Sequence, residues 1–131
     1  MNEPIELSER ECRELLAREV FGRLAINTAS GPRIVPLNYV VLDDAFVFRT
    51  TPYSEVAREA VGHDVAFEID SVNHSRQTGW SVVAVGSLES VHPAELDELR
   101  KAWVPRPWAG GQRHLYVRLR WREVTGRRIP D

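Results

Sequence analysis

The sequence predicts a mainly β protein, a six-stranded antiparallel barrel with small peripheral helices, and three observations predict it. Six segments rich in β-branched and aromatic residues follow one another along 131 residues, several of them alternating apolar and polar positions. No regular strand–helix–strand alternation, which would build a parallel sheet, interrupts them. The longest strand-like segment, 80–91, carries Gly86 in its middle, where a barrel strand has to bend. A chain of this length suits one domain, 1–131, with a core of its own.

Each element has a local reason. Ser8 with Glu11 three residues on forms a capping-box pattern, and Leu15, Leu16, Glu19 and Val20 continue it at helical spacing, so a peripheral amphipathic helix is expected. A strand over 23–28, the turn Ala29-Ser30-Gly31-Pro32, a strand over 33–42, the polar turn Asp43-Asp44 and a strand over 45–50 read as a three-stranded meander. A short helix then runs to Ala60, opened by Thr51 as cap with Pro52 at the first helical position, or by Ser54 as the alternative cap. Gly62-His63-Asp64 breaks the pattern before a strand over 65–70. The polar run 71–79 is expected to be a loop, 80–91 a bent strand, 93–103 a helix with proline near its start, and 114–123 the last strand. Pro105, Pro107, Trp108, Gly110 and Gly111 mark a loop before that strand.

Composition excludes several function classes. Hydrophobic residues at 43% and charged residues at 27% are ordinary for a globular core, and a net charge of −2, from 17 basic and 19 acidic residues, leaves no footprint for a nucleic-acid backbone. The local basic excess Arg118, Arg120, Arg122, Arg127 and Arg128 interleaves with Val117, Leu119 and Trp121 over its first part, as a strand with one solvated face would. One cysteine, Cys12, allows no internal disulfide, and neither a signal pattern nor an apolar run near ~20 residues is found, so a soluble cytoplasmic protein without a membrane partner is expected. His63, His74, His92 and His114 lack metal-ligand spacing with one another or with Cys12, and no Gly-x-Ser-x-Gly elbow occurs.

The candidate binding residues lie where the second hairpin runs into the short helix. Arg49, Thr50, Thr51 and Ser54 put a guanidinium and hydroxyls beside a helix start, the donor set that a phosphate monoester requires. A solvated strand arginine beside an ordinary cap has the same local pattern.

With the strand order in view, Gly22-Arg23-Leu24-Ala25, Val35-Pro36-Leu37-Asn38-Tyr39, Phe48-Arg49-Thr50, Phe67-Glu68-Ile69-Asp70, Thr78-Gly79-Trp80-Ser81-Val82 and Thr125-Gly126-Arg127-Arg128-Ile129 fall in the order of a known family. The chain resembles, over nearly its full length, the short actinobacterial-type members of the pyridoxamine 5′-phosphate oxidase-like family of FMN-binding split β-barrels. That resemblance implies a Greek-key split barrel and a homodimer with FMN in a cleft at its interface. The ring would lie along Arg33, Val35, Pro36, Leu37 and Asn38, the phosphate on Arg49, Thr50 and Ser54, and Trp80 and Ser81 would approach from the next strand pair. Trp80 reads equally as a core or interface aromatic. Trp103 and Trp108 read as a lid over a substrate on the exposed ring face or as interface filler.

Where such proteins commonly carry Gly-Ser-Lys, this chain has Tyr53-Ser54-Glu55, which sets a carboxylate beside the expected phosphate, with Arg58 one turn on as a replacement cation. The reading implied is an FMN-dependent oxidoreductase acting on a small-molecule substrate or electron donor. The alternatives are a deazaflavin-dependent reductase, a non-catalytic flavin-binding module and a degenerate dimeric interaction domain. Vitamin B6 oxidation itself is not expected, because no substrate-phosphate site separate from the cofactor's can be found.

Overall fold

Alternation of buried and exposed residues along Phe21–Thr28 and Asp64–Asn73 turns one face of each strand inward, and closing that face on itself builds the barrel. A computed structural model describes residues 3–95, 97 and 115–130. Its strands are β1 (Ile5–Glu6), β2 (Phe21–Thr28), β3 (Gly31–Leu42), β4 (Ala45–Thr50), β5 (Asp64–Asn73), β6 (Thr78–Ser90) and β7 (Leu115–Ile129), with the α-helix α1 (Glu9–Arg18) between β1 and β2. The sheet order is β1-β7-β4-β3-β2-β5-β6, and β6 also pairs with β7, so six antiparallel strands close a ring and β1 adds to the far end of β7. The expected six-stranded barrel is therefore present, with β1 as a two-residue addition too short to carry any period.

Phe46, Phe48, Phe67, Leu24, Ile69, Val82, Leu88, Val117 and Leu119 fill the interior, and Phe46 meets Tyr39, Phe67 and Trp121 ring to ring. Helix α1 covers one flank with Cys12 and Leu16, and its capping box is complete, Ser8 Oγ accepting from Glu11 N–H and Glu11 Oε1 accepting from Ser8 N–H, both at 3.1 Å. The Tyr39 hydroxyl donates to the Leu16 carbonyl at 2.6 Å, tying helix to barrel, and burial pushes that phenol well above its usual pKa. Gly126 lets the helix approach β7, since a Cβ there would sit 2.8 Å from Cys12 Sγ.

The Asp43-Asp44 turn is as expected, both residues at positive φ between the paired Leu42 and Ala45, as a two-residue hairpin turn with primed geometry requires. The β6–β7 ladder shifts register between Val85 and Gly86, where Arg122 of β7 is the extra, bulged residue, and a Cβ at Gly86 would fall 2.0 Å from the Arg120 carbonyl oxygen, so the close approach at the expected bend needs glycine.

Several boundaries differ from expectation: β2 starts at Phe21 and β3 at Gly31, two residues before the expected starts, since Phe21 and Gly22 pair with Asn38 and Leu37, and Gly31 and Pro32 with Thr28 and Asn27. The loop expected over 71–79 shrinks to 74–77, because Ser71, Val72 and Asn73 pair with Trp80, Gly79 and Thr78 through backbone bonds that polar side chains do not advertise. β7 continues to Ile129 because its second half pairs with β6 on one edge and, at Arg127 and Arg128, with β1 on the other. The helix expected from Thr51 begins later: a single π-helical turn spans Val56–Ala60, its buried Val56 and Ala60 facing the core. Of the helix expected over 93–103, the short 3-10 turn Pro93–Glu95 and the helical residue Asp97 are described; Trp103, Trp108, the other residues of that stretch, its loop and His114 lie outside the described residues. Among the described residues, no helix is long and apolar enough to cross a membrane.

Candidate functional site

Strand β3 changes partner along its length. Residues 31–38 pair with β2, from Gly31 opposite Thr28 to Asn38 opposite Phe21, whereas Tyr39 to Leu42 pair with Phe48 to Ala45 of β4. After Thr50 the chain leaves the ladder through Thr51, Pro52 and Tyr53. The edge of residues 31–38 that faces away from β2 therefore has no strand partner among the described residues. Val35 and Leu37 pack against the core, Ile34 is 70% exposed, and Pro36 is exposed.

Beside this open edge, the hydroxyls of Thr50 and Ser54 meet at 2.7 Å, and Ser54 Oγ also accepts the Ala57 N–H at 3.1 Å. Ser54 is thus the residue that caps the helical turn, while Thr51 contributes its carbonyl, which accepts from Ser54 N–H at 3.1 Å. One hydrogen bond joins the two hydroxyls, so one hydroxyl proton of the pair remains to be donated to a ligand. The turn is anchored to the β2–β3 hairpin by Glu59, whose Oε2 accepts from Ala29 N–H at 2.8 Å.

Arg33 comes to this place from β3, its Nε 4.0 Å from Glu55 Oε2, with both side chains nearly half exposed. Arg58 Nε donates to the Ser54 carbonyl oxygen at 3.4 Å. Arg49 is half-buried and sits opposite Tyr116 in the β4–β7 ladder. By alternation it follows Val47 toward the outer face, where Val47, Tyr116 and Val91 cluster, and Thr50 follows Phe46 and Phe48.

Trp80 and Ser81 form a second place. Trp80 packs partly buried against the core, opposite Ser71 and Arg128, and Ser81 lies opposite Asp70 and Arg127. Together with Asp70, Val72, Thr78 and Arg127 they line a pocket of about 420 Å³. From the open edge, the sheet order runs through β2 and β5 before reaching β6, three strand steps or about 14 Å. Within one chain, then, Arg33, Val35, Pro36, Leu37, Asn38, Thr50 and Ser54 gather on one side, and Trp80 and Ser81 lie elsewhere.

One charged group had escaped the sequence reading. Arg23 donates to Glu68 at 3.1 Å and to Asp70 at 3.4 Å on the face that adjoins the pocket. Burial and the neighbouring Asp70 side chain raise the Glu68 carboxyl above its ordinary pKa despite Arg23. Spacing two apart along a strand puts Glu68 and Asp70 on one face, but Arg23 joins them only through the non-local β2–β5 pairing.

A sequence profile described as pyridoxamine 5′-phosphate oxidase matches residues 8–128. An uncharacterized protein of Mycobacterium tuberculosis is 33% identical over 132 residues, covering 97% of this chain and 86% of its own. Among solved structures, an FAD-binding protein of Mycobacterium smegmatis superimposes with a TM-score of 0.85 at 30% identity, covering 97% of this chain and 99% of that one. A protein of unknown function from Corynebacterium diphtheriae gives a TM-score of 0.76 at 28% identity, over 97% and 98% of the two chains.

Proposed function

The chain belongs to the pyridoxamine 5′-phosphate oxidase family, and on that premise we propose that it is a flavin-binding protein that works as a homodimeric oxidoreductase. The observation that carries the reading is the open edge of residues 31–38 lying beside the Thr50–Ser54 hydroxyl pair and Arg33. This donor set suits a flavin. The flat ring takes a strand edge with unladdered backbone groups, and its ribityl phosphate takes a guanidinium and a hydroxyl. Arg33, Val35, Pro36, Leu37 and Asn38 are assigned to the ring, and Arg49, Thr50 and Ser54 to the phosphate that FMN and FAD share. FMN is the smallest cofactor that uses the whole set; the M. smegmatis relative binds FAD, and a deazaflavin coenzyme is the alternative ring system.

The separation of Trp80 and Ser81 from the open edge supports the dimer. If both groups serve one cofactor, Trp80 and Ser81 must come from a second copy. A bound flavin supplies the electron chemistry. The chain's own part is to hold the phosphate, orient the ring along β3 and cover it against water. A cytoplasmic location belongs to the same proposal, supported by the unpaired, buried Cys12.

The test is a visible absorption spectrum of the purified protein with FMN, FAD and deazaflavin titrations, repeated on Arg49→Ala, and sedimentation to give the oligomeric state. Saturable flavin binding weakened in Arg49→Ala is expected of a dimer. Absence of flavin binding together with saturable deazaflavin binding would transfer the chain to the deazaflavin reading. Turnover with a reduced nicotinamide and an artificial acceptor separates an oxidoreductase from a non-catalytic module.

A further inference from the structure

We infer that Glu55 sets which flavin nucleotide this chain takes, favouring FAD over FMN; the inference rests on the phosphate reading above and deepens it. The chemical difference between the two ligands is local. The phosphate of FMN is a monoester with a second ionisation near pH 6, so it carries roughly −1.5 to −2 at neutral pH. In FAD the same phosphate is one end of a pyrophosphate diester, with one negative charge on each phosphorus, and the second charge lies farther along the ligand.

Glu55 acts on that difference through its position. It follows Ser54 directly, in helical backbone conformation, so the carboxylate and the Ser54 hydroxyl leave adjacent residues of one turn. Its Oε2 lies 4.0 Å from Arg33 Nε, and the guanidinium that β3 brings to this place is therefore shared with an anion before any ligand arrives. At 43% and 44% side-chain exposure the pair is loosely held and can rearrange, but its net charge stays near zero. A phosphate at the Ser54 hydroxyl thus relies on Arg49 for its cation and gains little net charge from the neighbouring Arg33, which one carboxylate already matches. The monoester places nearly one more negative charge on that phosphorus than the diester does, while the diester carries its second charge on the next phosphorus, farther from the carboxylate. Moving one unit charge from the near phosphorus to the next, beside a partly screened carboxylate, changes affinity by about two- to threefold. Arg58 Nε donates to the Ser54 carbonyl oxygen at 3.4 Å, and among the described residues the ion-pair partner of Glu55 is Arg33.

The experiment measures dissociation constants for FMN and FAD separately, by quenching of flavin fluorescence, on flavin-free wild type, Glu55→Gln and Glu55→Lys. Glu14→Gln on the exposed face of α1 serves as a matched charge change away from the site. Wild type is expected to bind FAD about two- to threefold tighter than FMN. Glu55→Gln should narrow that gap, and Glu55→Lys should close or reverse it, tightening both flavins but FMN about two- to fourfold more than FAD. Glu14→Gln should leave both constants unchanged. Binding of both flavins with the same FMN-to-FAD ratio in all four proteins would overturn the inference and leave the flavin reading standing. Binding of neither flavin by any of them would remove the flavin reading and this inference together. Circular dichroism of each variant establishes that the barrel is intact in every comparison.

Discussion

Arginines at two places in this barrel are held in opposite ways. On the outer face of β6 and β7, Arg118 Nε and Arg120 Nε each donate to Glu89 Oε1 at 2.8 Å, Arg118 also pairs with Glu95, and Arg122 holds Asp64 through two bonds at 2.9 and 2.8 Å. At the open edge of β3, Arg33 meets Glu55 only at 4.0 Å, next to hydroxyls that retain a proton to donate. Both regions read alike in the sequence, as arginines in strands. The difference teaches that a cation matched by carboxylates at hydrogen-bond distance belongs to the fold, whereas one whose match sits at the limit of contact is disposed toward a ligand.

The largest effect that would sharpen this contrast is on binding. Arg33→Ala should weaken flavin affinity roughly ten- to a hundredfold, the worth of one charged hydrogen bond, while leaving the melting temperature within about 1 °C. Titration and calorimetry on the same preparation read both quantities, and a large loss of stability with unchanged binding would reverse the roles of the two regions.

Arg118→Ala should do the opposite. Its side chain is 16% exposed, so removing it leaves Glu89 and Glu95 without their shared partner and should cost about 1–2 kcal/mol, or about 3–8 °C, with flavin affinity unchanged. The same pairs predict a pH dependence. Glu95 and Asp64 are held below the ordinary carboxylate range by Arg118 and Arg122; Glu89, although burial acts to raise it, is held below that range by Arg120 and Arg118. Depressed native values mean that this stability is present above the unfolded pKa, about 4, and is lost as pH falls through the native values. Urea midpoints against pH should show that acid limb, shallower in Arg118→Ala.

Ser54→Ala is expected to act on both properties. Losing the cap on Ala57 should cost about 1 kcal/mol and the lost hydroxyl should weaken flavin binding, with Ser54→Thr restoring most of each. The smallest effect belongs to Arg122→Gln. Arg122 and Asp64 are 60% and 58% exposed, and a melting temperature unchanged within error is expected from calorimetry.

Much of this was legible before folding because the signals are local. The capping box at Ser8, the Asp43-Asp44 turn and the Gly86 bend rest on neighbouring residues, and each appears where its pattern lies. The strand boundaries at 71–73 and 124–129 were not legible, because the pairing there is made by backbone groups of mostly polar stretches, across the tight 74–77 turn in the first case and with β6 and β1, distant in sequence, in the second. Ser54 was one of two possible caps, and the choice between it and Thr51 depended on where Val56 and Ala60 could be buried.

From its residues alone, this chain specifies its class: alternating apolar strands, one capped helix and turn residues at the right intervals suffice for a small antiparallel barrel, since periodicity and turn chemistry are properties of a few adjacent residues. The site was decided only by the tertiary structure. Arg33 stands beside Glu55 because the β3–β4 hairpin folds the helical turn back along β3, and Arg23 stands beside Glu68 and Asp70 because β2 and β5, far apart in sequence, pair in the closed ring. Charges act through distance in space, and distances between strands exist only once the barrel has closed.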